Sequence, residues 1–471
     1  MENLPPQTDS TKLTKKDFDK VLDSESVIFQ DTEERKLKLF DMPTKMLELK
    51  KPKTFRKRAA LELEIVEADK KRKLNQIKIP QVPDEIWLKI LNFMDSKTIF
   101  ANFALVCKNF HRLTLDSGAV KSIELDDIKS SEHYKNAMKV LKRSKNIDRV
   151  KIEYSSTTYC NNFITQAFKS NPKLKSLIVS KNWFQLTNST KKVFGKNLET
   201  LALGAILLDD NEEIVNAILS QRNLKTLHLS HILESNILTK LLNLLPKKCK
   251  KLSDVHFGSI LHGDVTRIAS TFDNFFEEVK ENLKSFKCHV TNDPTWEQIL
   301  KNLSLCKKLE VLEIFDALFI SNTTLTIISM LPNLKSLTLT RLGSNATELS
   351  TLFQKMNLEK LEYLQIESNP LSNEELQTFL NRKPPNLRHL WFPNCPNLDL
   401  EESTMKNLKN CPKLKNVGFD GFQFDGISTD LLGEINDNIK IFMYYTVNWI
   451  EFDKKLKLEQ CKENFIKVIQ G

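Results

Sequence analysis

Cysteine and histidine are the side chains here most able to ligate a metal or attack an electrophile, and the 471-residue chain has eight of each. Their spacing argues against both roles. There is no C-x-x-C pair, and a zinc site needs ligands that converge, usually from paired positions. Cys249, Cys306 and Cys411 instead recur singly, each three residues before a leucine, in CKKL, CKKL and CPKL. That periodicity describes a small buried residue repeated by a structural unit. His228 and His231 are close together, but both fall at polar positions of one short alternating stretch and read as a solvated pair. The phosphate loop G-x-x-x-x-G-K, the G-x-G-x-x-G turn, H-E-x-x-H and G-x-S-x-G are all missing. No catalytic residue, metal or cofactor is expected.

The elements that would carry these residues are repetitive. An apolar-x-x-apolar-x-apolar motif appears at Ile147/Val150/Ile152, Leu174/Leu177/Val179, Leu198/Leu201/Leu203 and Leu224/Leu227/Leu229. It continues at Leu252/Val255/Phe257, Leu283/Phe286/Cys288, Leu309/Leu312/Ile314 and Leu334/Leu337/Leu339. The last four are Leu361/Leu364/Ile366, Leu387/Leu390/Phe392, Leu414/Val417/Phe419 and Ile439/Phe442/Tyr444, and Val120/Ile123/Leu125 precedes the series. First positions fall 24 to 31 residues apart, the period of a leucine-rich repeat. Asn182, Asn369 and Cys395 stand at the position after the strand where that repeat places Asn or Cys.

Each motif reads as a short strand with alternate residues turned inward. Between motifs lie helical stretches such as NEEIVNAILSQ, SNILTKLLNLL and NEELQTFLNR, opening on Asn or Ser suited to capping. One strand and one helix cannot bury their apolar faces alone, but stacked copies can. The expected fold is therefore α/β: a solenoid with parallel strands on a concave face and helices on a convex one, curved into a horseshoe. The array is placed at 119–445 with about 12 to 13 repeats. Residues 446–471, with WIEFDKKLKLEQCKENFIKVIQ, read as a C-terminal capping helix.

Ahead of the array, residues 82–113 read as two amphipathic helices. Pro83 suits a helix start, and Asp84 and Glu85 complement the positive end of the dipole. Ile86, Trp87, Ile90, Leu91 and Met94 make one apolar stripe; Ile99, Phe103, Val106, Phe110 and Leu113 make the next. The strings V-P-D-E-I-x-x-K-I-L-x-F-M-D and A-L-V-C-K-x-F-x-R-L resemble the F-box, with Val82 and Phe110 standing where Leu and Trp are usual. An F-box at 79–118 joined to the repeats resembles the F-box/leucine-rich-repeat proteins.

That resemblance implies a non-catalytic substrate receptor of a Skp/cullin/F-box ubiquitin ligase, acting in ubiquitin-dependent protein degradation. The Skp adaptor would dock on Val82, Pro83, Ile86, Ile90, Leu91, Met94, Leu105, Val106 and Phe110. Cys107 would be the family's buried helix cysteine. A target protein would lie on the outward strand residues, with Phe315, Tyr363, Gln365, His389, Trp391 and Tyr445 as candidate contacts and Trp391 the first among them. Two other readings stay open: an interaction scaffold without ubiquitination, and a nuclear nucleic-acid-binding protein.

Composition bounds these readings. Hydrophobic residues make up 40% and charged residues 28% of the chain, with a net charge of +10 and 11 glycines. No apolar run is long enough to span a bilayer, no signal peptide is evident, and the unpaired cysteines fit a reducing compartment. The expectation is a cytoplasmic or nuclear protein, with no membrane partner. The array lacks a concentrated basic stripe, so nucleic acid is not the expected partner. Residues 1–78 are polar without a sustained apolar period and read as disordered. They hold two basic clusters, Arg56-Lys57-Arg58 and Lys70-Lys71-Arg72-Lys73, eleven residues apart. The pair resembles a bipartite nuclear import signal.

Overall fold

The computed structural model describes residues 82–420, apart from short internal stretches, together with 440–444 and 465–467. The basic clusters Arg56–Arg58 and Lys70–Lys73, Leu105 and Tyr445 lie outside the described residues, as does most of the 446–471 stretch. Two helices, α1 (Asp84–Leu91) and α2 (Lys108–Thr114), open the described part. Strands and helices then alternate. The order is β1 (Ser122–Leu125), α3 (Ser131–Arg143), β2 (Arg149–Glu153), α4 (Thr157–Ser170), β3 (Ser176–Ser180) and β4 (Thr200–Ala205). Next come α5 (Glu212–Leu219), β5 (Thr226–Ile232), α6 (Ser235–Lys248), β6 (Asp254–Ile260), α7 (Val265–Val279) and β7 (Ser285–His289). They are followed by α8 (Thr295–Lys301), β8 (Val311–Phe315), α9 (Asn322–Ser329), β9 (Ser336–Thr340), α10 (Leu349–Lys355) and β10 (Tyr363–Glu367). The series ends with α11 (Asn373–Asn381), β11 (His389–Phe392), α12 (Glu402–Asn407), β12 (Asn416–Asp420), β13 (Lys440–Tyr444) and β14 (Phe465–Lys467).

Among the described residues, the 14 strands form one sheet in sequence order, and each pairs parallel to the next, as in β2 with β3 or β9 with β10. The register aligns the repeat motif: Leu227, Val255, Phe286, Leu312, Leu337 and Leu364 are successive partners. Strands β3, β8 and β10 alternate between half-buried and buried residues, and β2 does the same after an exposed Arg149. The buried set faces the buried residues of the helices, and between them runs the core. Large aromatic side chains fill its middle: Phe257, Phe272, Phe275, Phe276, Phe286 and Trp296 are all buried, with ring centroids 5.1–6.4 Å apart in tilted, stacked and edge-to-face arrangements.

One repeat shows how the sequence builds the unit. β10 ends at Glu367, and Ser368 turns the chain with φ 54°, a left-handed conformation that few non-glycine residues adopt. Asp316, Arg341 and Asn394 do the same after β8, β9 and β11. Asn369 is buried, accepts from Leu342 N and donates to Leu339 O at 3.1 Å, stitching one repeat to the previous one. Ser372 then caps α11 in a reciprocal box with Glu375. Leu376, Phe379 and Leu380 turn into the core.

Two expectations at the C-terminal end need correction. Val417 pairs with Ile441 and Phe419 with Met443, so Ile441/Met443, not Phe442/Tyr444, continue the motif; a strand's period of two makes a one-residue slip exchange the faces. In the segment read as a capping helix, the described residues Phe465–Lys467 form β14, paired with β13. There the open backbone edge of a parallel sheet recruits a strand, because its unpaired N–H and C=O groups need partners.

Candidate functional site

The first candidate surface is the α1–α2 hairpin. Pro83 O accepts from Ile86 N at 3.0 Å and Trp87 N at 3.2 Å, starting α1. Asp84 in that first turn pairs with Arg112 of α2, and Arg112 Nη2 also donates to Asn109 Oδ1 at 2.9 Å. Trp87 meets Phe110 edge to face at 4.7 Å, a geometry that adds to the area the rings bury. Leu91 and Phe110 are 0% and 6% exposed, so both belong to the hairpin's core and neither offers a surface contact. Periodicity puts them on apolar stripes without saying which part of a stripe faces inward. Ile86, Ile90 and Val106 are 43%, 40% and 48% exposed. They are three of the seven large hydrophobic side chains exposed among the described residues. Pro83 is also exposed, and Val82 and Met94 are half-buried. Cys107 is half-buried and accepts from Phe110 N at 3.4 Å.

The second surface is the outward side of the sheet. Tyr363 pairs with His389, His389 with Asn416, and Gln365 with Trp391. The Tyr363 and His389 rings lie 6.0 Å apart. Tyr363 Oη donates to Gln365 Oε1 at 2.6 Å, and Gln365 Nε2 donates to Glu367 Oε2 at 2.8 Å. Asn416 Nδ2 and His389 Nδ1 are 2.8 Å apart, and burial holds the His389 imidazole below its ordinary pKa. Tyr363, Gln365, His389 and Trp391 thus form one half-buried polar-aromatic patch, held by bonds along and across strands. Phe315 is not part of it, because β9 lies between β8 and β10.

Phe315 belongs to a third grouping that the sequence reading missed. Its ring stacks on His289 at 4.6 Å; His289 stacks on His256 at 6.2 Å; His256 meets His228 edge to face at 5.4 Å. The row crosses β5 to β8, flanked by Asp254, 3.5 Å from His228 Nε2, and by Lys287 paired with Glu313 at 2.6 Å. Burial, helped by the neighbouring imidazoles and Lys287, pushes the His256 pKa down to about 3. His228 is therefore packed against His256, not half of a solvated pair with His231, which sits further along β5 opposite Ser259. Aligning the motif columns puts His228 and His256 in register, but His289 lies one outward position further on and 33 residues away. Gly258 serves the same strands: a Cβ there would lie 1.5 Å from Ser230 O.

The repeating cysteines are packed as the motif requires. Cys249, Cys306 and Cys411 are buried, and burial raises their thiols to about 11, 12 and 12. Cys249 donates to Gln221 O of the preceding repeat at 3.4 Å. Protonated thiols of this kind are poor nucleophiles and serve as small apolar filling.

Comparison with known proteins identifies the hairpin region. The F-box domain family matches residues 79–118. No curated protein sequence matches the chain. Among solved structures, a chain of the yeast Rad7 and Elc1 complex is similar with a TM-score of 0.48 and 14% identity, covering 89% of this chain and 98% of that one. The leucine-rich-repeat-containing protein LegL7 from Legionella pneumophila is similar with a TM-score of 0.32 and 14% identity, covering 71% and 97%. The chain thus carries an F-box domain followed by a parallel-strand α/β repeat region that resembles leucine-rich-repeat proteins.

Proposed function

We propose that this F-box and repeat protein is the substrate-recognition subunit of a Skp/cullin/F-box ubiquitin ligase. The observation that carries the reading is the F-box match at residues 79–118, where Ile86, Ile90 and Val106 stay outside the hairpin's own core. Three large apolar side chains left in water on so small a unit fit a partner surface. The adaptor would cover these three residues together with Pro83, while Leu91 and Phe110 support them from within. Leu105, which lies outside the described residues, would join the adaptor contacts by the family pattern.

The target would lie on the outward side of the repeat sheet, at Tyr363, Gln365, His389 and Trp391. Tyr and Trp are enriched at interaction hot spots because they bury large rigid area and keep a polar atom. Catalysis would then be by proximity. Holding a target lysine near a ubiquitin-charged enzyme raises the effective concentration without acid, base or nucleophile from this chain. The basic clusters at Arg56–Arg58 and Lys70–Lys73 would direct import to the nucleus; alanine at all seven positions should leave a fluorescent fusion cytoplasmic.

Affinity capture of the tagged full chain tests the assembly. Recovery of both adaptor and cullin, with targets that accumulate when the protein is depleted, supports a receptor. Recovery of adaptor without cullin supports the scaffold reading instead.

A further inference from the structure

The topology sorts charge that the sequence scatters. Every strand is parallel and each helix carries the chain back, so helix-to-strand connections share one edge of the sheet and strand-to-helix connections share the other. The ten connections leaving α3 to α12 hold 19 Lys and Arg against five Asp and Glu.

Helix dipoles account for only part of this. Basic residues complement helix C-termini, but each end carries roughly half a negative charge, so ten ends call for about five cations. The basic edge's 19 cations less its five carboxylates leave an excess of 14, nearly threefold that. Its carboxylates are also largely taken: Glu281 pairs with Lys308 at 3.4 Å, Glu310 with Lys335 at 2.8 Å, and Glu362 with Arg388 at 3.6 Å. Lys173, Arg222, Lys250 and Lys307 are exposed and have no ion-pair partner among the described residues. Their spacing is set by the backbone. Lys335 N and Ser336 N both donate to Glu310 O, and Lys175 N and Ser176 N to Asp148 O, each strand start being tied to the one before.

We propose that this edge binds the phosphodiester backbone of a nucleic-acid strand. Cations recur with every repeat, and neighbouring strands of a sheet stand about 4.8 Å apart. Each strand of duplex DNA carries one phosphate about every 3.4 Å of rise, and a flexible single strand can adjust its phosphate spacing, so a linear polyanion can meet several repeats in succession. The contact is to phosphate and reads no base sequence.

The test is fluorescence anisotropy of a labelled 30-nucleotide single strand with the full chain, from 50 to 200 mM salt. A variant carrying Lys173→Gln, Arg222→Gln, Lys250→Gln and Lys307→Gln is compared, its fold checked by circular dichroism and thermal melting. The N-terminal basic clusters are the same in both proteins. The proposal expects the variant to bind more than tenfold more weakly at 50 mM salt and to lose roughly three units of log–log salt slope. An Ile86→Asp, Ile90→Asp variant should bind like wild type, separating this surface from the adaptor face. Should the four-site variant lose its fold, protection of Lys173, Lys250 and Lys307 from chemical acetylation by the bound strand in wild type gives the same reading. Equal binding by variant and wild type, no binding at 50 mM salt, absence of that protection, or equal affinity for polyglutamate would each overturn it.

Discussion

Trp87 and Phe110 lock α1 against α2, their rings edge to face at 4.7 Å, and the Asp84–Arg112 ion pair closes the same junction. This relationship divides the hairpin's apolar residues into two jobs. Leu91 and Phe110 hold it together, while Ile86, Ile90 and Val106 face outward.

Substitutions should separate those jobs. Phe110→Ala removes a buried ring, a change that costs about 3–5 kcal/mol in cores; in so small a unit it should lower the hairpin's unfolding midpoint and abolish adaptor binding together. Ile86→Asp with Ile90→Asp should leave the melting curve within a degree or two and remove binding alone. Differential scanning fluorimetry beside an adaptor titration checks both.

On the outward face of the sheet, Trp391→Ala and Tyr363→Ala should each weaken target capture by about 2 kcal/mol or more, the scale of a hot spot. Their partners on the inner face behave differently. Phe392 is wholly buried, so Phe392→Ala should destabilise the array by about 3–5 kcal/mol. Quantitative capture from lysate, normalised to the folded fraction, distinguishes the two effects.

The imidazole row makes stability depend on pH. His256 has a folded pKa of about 3 against an unfolded value of about 6.5. The unfolded chain therefore binds the extra proton between those values, and the contribution of neutral His256 is complete above pH 6.5 and lost as pH falls towards 3. His289 is shifted the same way by burial. Denaturant unfolding at pH 7 and pH 5 should differ by roughly 2 kcal/mol from His256 alone, and His256→Asn should flatten that difference.

Gly258→Ala should be among the most damaging single changes in the array. Its Cβ would lie 1.5 Å from Ser230 O, which is backbone and has no rotamer to yield. The strands β5 and β6 would have to part, opening the register from Thr226 to Ile260. Loss of soluble yield, or hydrogen-exchange protection lost over β5 and β6, would show it.

Much of this architecture was legible because a solenoid writes its period into the chain. Strands β1 to β12 fall on the motifs from Val120/Ile123/Leu125 to Leu414/Val417/Phe419, since each unit repeats the same inward columns. Legibility failed where a property depends on elements meeting. Leu91 and Ile90 are neighbours on one apolar stripe, and only docking of α2 decides which is covered. His289 joins His256 through strand pairing across 33 residues. The basic edge is invisible along the sequence, where Lys250 and Lys307 are just two of many lysines; parallel topology brings them to one side. At the C-terminal end a short apolar segment, Phe465–Lys467, suits helix or strand, and an open sheet edge settled the choice.

On this reading the exposed apolar residues of the hairpin bind the Skp adaptor and, through it, cullin. Calorimetric titration of purified adaptor into the full chain, wild type against Ile86→Asp with Ile90→Asp, tests it most directly. Wild type should bind saturably at one to one and recover cullin through that complex, and the equally folded variant should give no detectable heat. Absence of binding by folded wild type, or unchanged binding by the variant, would contradict it.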